Sequence, residues 1–153
     1  GDIIITNSTL FLGLTGHAGI ALDSNDILHI AGIGYTPDIT RKETFIEDYS
    51  AWGSWIKVYR PLNYAYGVKV ASWAKNTYVD SNAKYVINTN VNSTHETYCS
   101  KIVFQAYKFG ANTEDAFYWV YNTENGSDNN GYYINFGIIQ PYNLDNLIKS
   151  NLI

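Results

Sequence analysis

Residues 17–31 read HAGIALDSNDILHIA, two short apolar runs on either side of the polar tetrad Asp23-Ser24-Asn25-Asp26. Runs of this length bounded by turn-forming residues are strands, and a tetrad of Asp, Ser and Asn joins them as an antiparallel hairpin. Each run carries one histidine. Register decides whether the two can meet. With a two- or four-residue loop Ile20 stands opposite His29, and alternation sends His17 and His29 to opposite faces. With an odd loop or a one-residue bulge Gly19 stands opposite His29, and His17 becomes its diagonal neighbour on the same face. A site that uses both imidazoles therefore requires an odd loop or a bulge.

Working outward, Asp2 to Thr6 (DIIIT) is a β-branched run expected of a buried strand. Residues 7–14 read as a short helix or a loop. Thr40 to Tyr49 is polar and is expected to contain a helical turn, and Trp55 to Tyr59 (WIKVY) is a strand stopped by Pro61. Tyr66 to Val79 has helical spacing, with Val70, Trp73, Ala74 and Thr77 on one face. Tyr98 to Phe109 (YCSKIVFQAYKF) is the clearest helix: Cys99, Ile102, Val103 and Ala106 recur at i, i+3, i+4 and i+7, and Gly110 is the expected stop. Tyr132 to Gln140 reads as a late strand ended by Pro141, followed by a short helix over 144–149. The order implies an α+β fold, an antiparallel sheet with helices packed on one side.

The 153 residues form a single domain, 1–153, without repeats or a linker, and the Asn- and Gly-rich stretch 122–131 is an exposed loop within it. A formal charge of −4 argues against a nucleic-acid partner, since nothing would neutralise a phosphate backbone. No apolar run reaches the length of a membrane span, and the first residues lack the basic start of a signal peptide. The chain has no methionine, so its initiator is expected to have been lost with a leader or by trimming. A single cysteine excludes an internal disulfide, and with three histidines beside it no finger or ribbon spacing for zinc is present, so no metal is expected.

Cys99 is then either buried filler or a reactive thiol. Ser93-Thr94-His95-Glu96 has the form of a capping box ahead of the helix, with Thr97 as an alternative cap. Either start puts Cys99 in the first two turns, where the helix's positive end and unpaired N–H groups lower a thiol pKa. A thiolate nucleophile works with an imidazole base. His17, between Gly16 and Gly19, has space around it for that task, and His29 in the next strand would fix its orientation. His95 falls in a polar loop and reads as solvated. Trp52 with Trp55, and Tyr118-Trp119 with Tyr121, either line a groove or fill the core margin.

The opening GDIIIT, the GHAGIAL…ILHIAG hairpin, the TYCSKIVFQAYKFG helix and the GIIQPYNLDNLIKSN tail, in that order, resemble the permuted papain-like cysteine hydrolases of the NlpC superfamily. The YiiX-like bacterial proteins and the lecithin:retinol acyltransferase group belong to it. The resemblance covers residues 1 to about 110 and the tail. It implies a circularly permuted papain-like, NlpC-like fold in which the histidine strand precedes the cysteine helix. It also implies Cys99 as nucleophile, His17 as base and His29 as the third group, with Tyr85 as an oxyanion donor and no cofactor. The expected activity is that of a cysteine amidase or peptidase working through a thioester on Cys99, on a small peptide or acyl-amide such as a peptidoglycan fragment. Many YiiX-like members carry an acid at the third position, however, and histidine there is closer to the acyltransferase pattern. A lipid acyltransferase or esterase is thus the alternative, and a non-catalytic binding module on the same fold is a third reading. The resemblance favours a secreted or cell-envelope setting and leaves a cytoplasmic one open.

Overall fold

In the computed structural model of the chain, residues 1–8, 16–118 and 137–153 are described. Eight strands and four α-helices follow one another among them: β1 (Ile3–Thr6), β2 (His17–Ala21), β3 (Asp26–His29), β4 (Asp38–Arg41), α1 (Lys42–Tyr49), β5 (Ile56–Pro61), α2 (Tyr64–Tyr78), β6 (Lys84–Tyr85), β7 (Glu96–Thr97), α3 (Cys99–Gln105), α4 (Leu144–Leu147) and β8 (Ser150–Leu152). Six strands form an antiparallel sheet in the order β4-β3-β2-β1-β5-β8, and β6 and β7 pair in parallel as a separate two-stranded ribbon. The fold is α+β. Among the described residues no helix is long and apolar enough to cross a membrane.

The run of isoleucines in β1 reflects its place. It pairs with β2 on one side and β5 on the other, and all four of its residues are buried. A strand covered on both faces is apolar at every position rather than at alternate ones. Ile3 and Ile5 enter a large core with Ala18, Ile20, Leu28 and the inner faces of α2 and α3. Ile4 points the other way, into a smaller cluster with Ile27, Phe45 and Tyr49. Phe45 and Tyr49 lie at i and i+4 on α1, so this helix covers the face opposite α2 and α3. Helices therefore lie on both sides of the sheet. The expectation of one covered side fails because 40–49, polar by composition, is a strand end followed by a full helix that buries two aromatics on one stripe.

The hairpin has an odd loop. Ile20 pairs with Leu28 and Ala21 with Ile27, while the Leu22 N–H donates to the Asp26 carbonyl at 2.8 Å, leaving Asp23, Ser24 and Asn25 as the turn. The Asp23 carboxylate closes it, accepting the N–H groups of Asn25 and Asp26 at 2.8 and 3.0 Å. Such Asx turns are what make Asp a turn-former. In this register Gly19 faces His29, and a Cβ on Gly19 would sit 3.5 Å from the His29 Cβ and 2.7 Å from Ile27 Cγ2.

Other expectations shift. After Gln105 the cysteine helix widens into a π turn, Ala106–Ala111, which runs through Gly110 and ends at Asn112 in the left-handed region (φ 49°). Gly110 does not stop the helix. Instead it lets two helices touch, since a Cβ there would lie 2.9 Å from both Trp73 Cβ and Val70 Cα on α2. No capping box forms: Glu96 and Thr97 are in β7, and the N-cap is Tyr98, without a side-chain cap. In the late strand expected over 132–140, residues 132–136 lie outside the described residues, and 137–140 form no strand. The tail folds as α4 and then as β8, which pairs with β5.

Candidate active site at the start of the cysteine helix

Cys99 is the first residue of α3, and its position is clamped from two sides. The Tyr98 hydroxyl accepts the Ile139 N–H at 3.0 Å, and the Ser100 hydroxyl donates to the Ile139 carbonyl at 2.6 Å. From further along the helix, Lys101 Nζ donates to the Glu96 carbonyl at 2.6 Å, and Gln105 Nε2 donates to the carbonyls of Val91 and Ser93 at 2.6 and 3.0 Å. Lys101 is fully buried, and burial lowers its pKa to about 8. These three polar residues all face inward, and each holds a backbone segment rather than water.

The β2–β3 ladder stops at Ile20–Leu28. Continued, it would pair Ala18 with Ile30. The Ala18 backbone lies instead near the Cys99 sulfur, and its N–H, with those of Cys99 and Ser100, favours the thiolate. The orphan N–H groups of a helix start are thus turned to sulfur, in place of a capping side chain. Cys99 packs with the larger core, yet it raises the pKa of Tyr49 on the opposite face.

Next to Ala18, His17 projects onto the α1 face. Its Nε2 lies 2.9 Å from Nδ1 of His29, and Nε2 of His29 lies 2.8 Å from the Thr40 hydroxyl, forming a chain His17–His29–Thr40 across three strands. The imidazoles are edge to face, with centroids 5.0 Å apart, and Phe45 and Tyr49 wall them in. Tyr49 lies flat on His17, 4.6 Å between centroids at an interplanar angle of 5°. Among the described residues no hydrogen bond joins the sulfur to either ring. Because Nε2 of His17 is taken by His29, Nδ1 is the nitrogen left to meet a thiol. With that chain donating outward, from His17 to His29 to Thr40, Nδ1 carries a lone pair and is a base.

The electrostatics differ from the sequence expectation. Burial pushes the Cys99 thiol up, against the pull of the surrounding N–H donors. Burial, with the charge of His29 behind it, holds His17 well below the ordinary histidine range, and His29 falls to about 4, also by burial and in spite of Asp38. Desolvation penalises every charged form here, so thiol and imidazoles are neutral at rest rather than ionised. The helix start offers donors to the sulfur, but hydrocarbon around it outweighs them.

The structure joins His17 to His29 on the α1 face, while Cys99 packs in the larger core, near the Ala18 backbone. Tyr85, on β6, is half-buried against the larger core and within electrostatic range of Tyr49. His95 is exposed. Trp52 is fully exposed and Trp55 partly so, the latter 5.9 Å from Tyr142, while Trp119 and Tyr121 lie outside the described residues. Sequence reading missed Thr40 and Tyr49. Thr40 lay in an edge strand too short and polar to stand out. Tyr49 at i+4 from Phe45 was the available signal. At the hairpin end of the same sheet face is a groove of about 250 Å³, floored by Ile4, Ile27, Ile56 and Val58.

An uncharacterized 30.3 kDa protein of Bacillus thuringiensis is 39% identical over 127 residues, 75% of this chain and 46% of that protein, so the chain spans just under half of its relative's length. No solved structure matches the chain. Residues 1–149 match the family described as lipoprotein N-acylation protein LnsA-like, a family related to the papain-like and lecithin:retinol acyltransferase-type group, and the chain belongs to that family.

Proposed function

We propose that the protein is a thiol acyltransferase: Cys99 takes an acyl group from an ester of a lipid and passes it to an amine, the N-terminal amine of a lipoprotein being the acceptor that the family description suggests. This puts the acyltransferase reading ahead of the amidase or peptidase one, and nothing in the family match points to peptidoglycan. The observation that carries it is the hydrogen-bonded His17–His29 pair, together with a lone buried thiol at a helix start, in a chain of an acylation family. We include in the proposal a circularly permuted papain-like, NlpC-related topology, supported by a histidine strand that precedes the cysteine helix.

In this reading the thiol proton passes to Nδ1 of His17 as the sulfur bonds to the ester carbonyl carbon, whose π pair moves to oxygen. Collapse restores the carbonyl and expels the alkoxide, which takes the proton from His17. The acceptor amine then attacks the thioester, loses its proton to His17, and releases the thiol as an amide forms. His29 accepts from Nε2 of His17 throughout, holding the tautomer and the ring and spreading the transient charge. Neutral partners suit this sequence, because ionisation is called for only once substrate has displaced whatever fills the corner.

Incubation with phosphatidylglycerol vesicles followed by intact mass measurement tests the reading. Wild type is expected to gain one acyl mass on Cys99, discharged by an added amine as an amide. Cys99→Ala and His17→Ala should show no adduct. A wild-type protein that gains no acyl group and forms no amide would remove the proposal.

A further inference from the structure

Tyr49 has a place in this corner that neither the sequence nor the family match assigns. Its side chain is fully buried, and among the described residues its hydroxyl has no hydrogen-bond partner. A buried, unsatisfied hydroxyl is destabilising, and native proteins keep few of them. The ring lies parallel on His17 and is flanked by Phe45 at 4.5 Å, while Thr6 Oγ1 donates to the Tyr49 carbonyl at 3.4 Å, and these contacts hold ring and backbone in place. The residues whose charge the hydroxyl feels are Cys99 first, then Asp48 and Tyr85. The phenol is thus held against the face of the imidazole assigned as base, beside which an attacked carbonyl must lie.

We propose that the Tyr49 hydroxyl donates a hydrogen bond to the oxyanion formed when Cys99 attacks an acyl carbonyl. The inference rests on the acyl-transfer reading above and adds a donor to it. Burial holds the phenol well above its ordinary range, so it stays protonated wherever the thiol reacts. As the S–C bond forms and the carbonyl π pair moves to oxygen, Tyr49 donates to that oxygen and keeps its proton. The thiol proton goes to His17 and leaves with the alkoxide. The N–H groups at the helix start are directed at sulfur in the resting protein, whereas this hydroxyl has no other partner to give up. A donor that is unsatisfied in the ground state and satisfied in the transition state lowers the barrier selectively.

Tyr49→Phe removes only the oxygen and keeps the stack on His17. The test reads nitrophenolate release from p-nitrophenyl octanoate, with mass measurement of Cys99, alongside the rate of Cys99 alkylation by iodoacetamide, a displacement that forms no oxyanion. Y49F is expected to acylate about 100-fold more slowly than wild type, to alkylate at an unchanged rate, and to melt at the same or a higher temperature. Acylation at the wild-type rate would overturn the inference while leaving the acyl-transfer reading in place. A parallel fall in alkylation, or an unfolded Y49F, would overturn it in favour of a structural role. A wild type whose Cys99 is not acylated would remove both.

Discussion

At Cys99 two influences oppose each other, and their outcome sets the reactivity. The N–H groups of Ala18, Ser100 and Cys99 itself favour a thiolate, but full burial disfavours it more, and the pKa rises. Cys99 should therefore alkylate more slowly than free cysteine at pH 6, with a rate that climbs only above the ordinary thiol range. A pH series with iodoacetamide checks this, and a plateau already reached at pH 6 would contradict it. The imidazole chain makes a second prediction. Thr40→Val keeps the shape and removes the hydroxyl that meets Nε2 of His29 at 2.8 Å. Acyl transfer should fall about tenfold in kcat with little change in KM, the usual scale for groups that orient a working side chain. The His17–His29 alternative, meeting or facing apart, was legible in the sequence as a question of loop parity. Thr40 was not, because its role depends on which strand lies beside β3.

Among the elements, the contact between α2 and the π turn that follows α3 is the most extensive. Gly110→Ala would place a methyl 2.9 Å from the Cα of Val70 and the Cβ of Trp73, neither of which is a flexible side-chain end. We expect a loss of about 1–3 kcal/mol, read as a lower denaturation midpoint with an unchanged m-value. Gly19→Ala should cost a similar amount for a different reason, since its methyl would press on Ile27 and reach the Cβ of His29. The sequence assigned α2 and the cysteine helix correctly because their apolar stripes recur at helical spacing. It misassigned the helix end because a glycine after a helix reads the same whether it caps the chain or admits a neighbour. It missed β4 and β8 because edge strands of three or four half-exposed residues carry no alternation to read.

On the scale of the whole molecule, burying two histidines links stability to pH. Both fold with depressed pKa values, so the unfolded chain binds protons that the folded chain refuses. Their contribution is complete above about pH 6.5 and is lost as the pH falls toward the folded value of His29, about 4. For His29 alone the loss is about 3 kcal/mol. Thermal melts between pH 7 and pH 4 should show it, and His29→Gln should flatten the slope, while an unchanged slope would mean that the rings are solvated. The apolar runs and helical spacings by themselves determined an α+β arrangement with a buried strand, a histidine hairpin and a helix that starts near the one cysteine, because local periodicity reports which faces turn inward. Only the tertiary structure decided that the hairpin loop is odd, that α1 closes the second face over the imidazoles, and that burial leaves the thiol and both imidazoles uncharged. Those outcomes depend on how distant segments exclude water from one corner, and no local pattern carries that information.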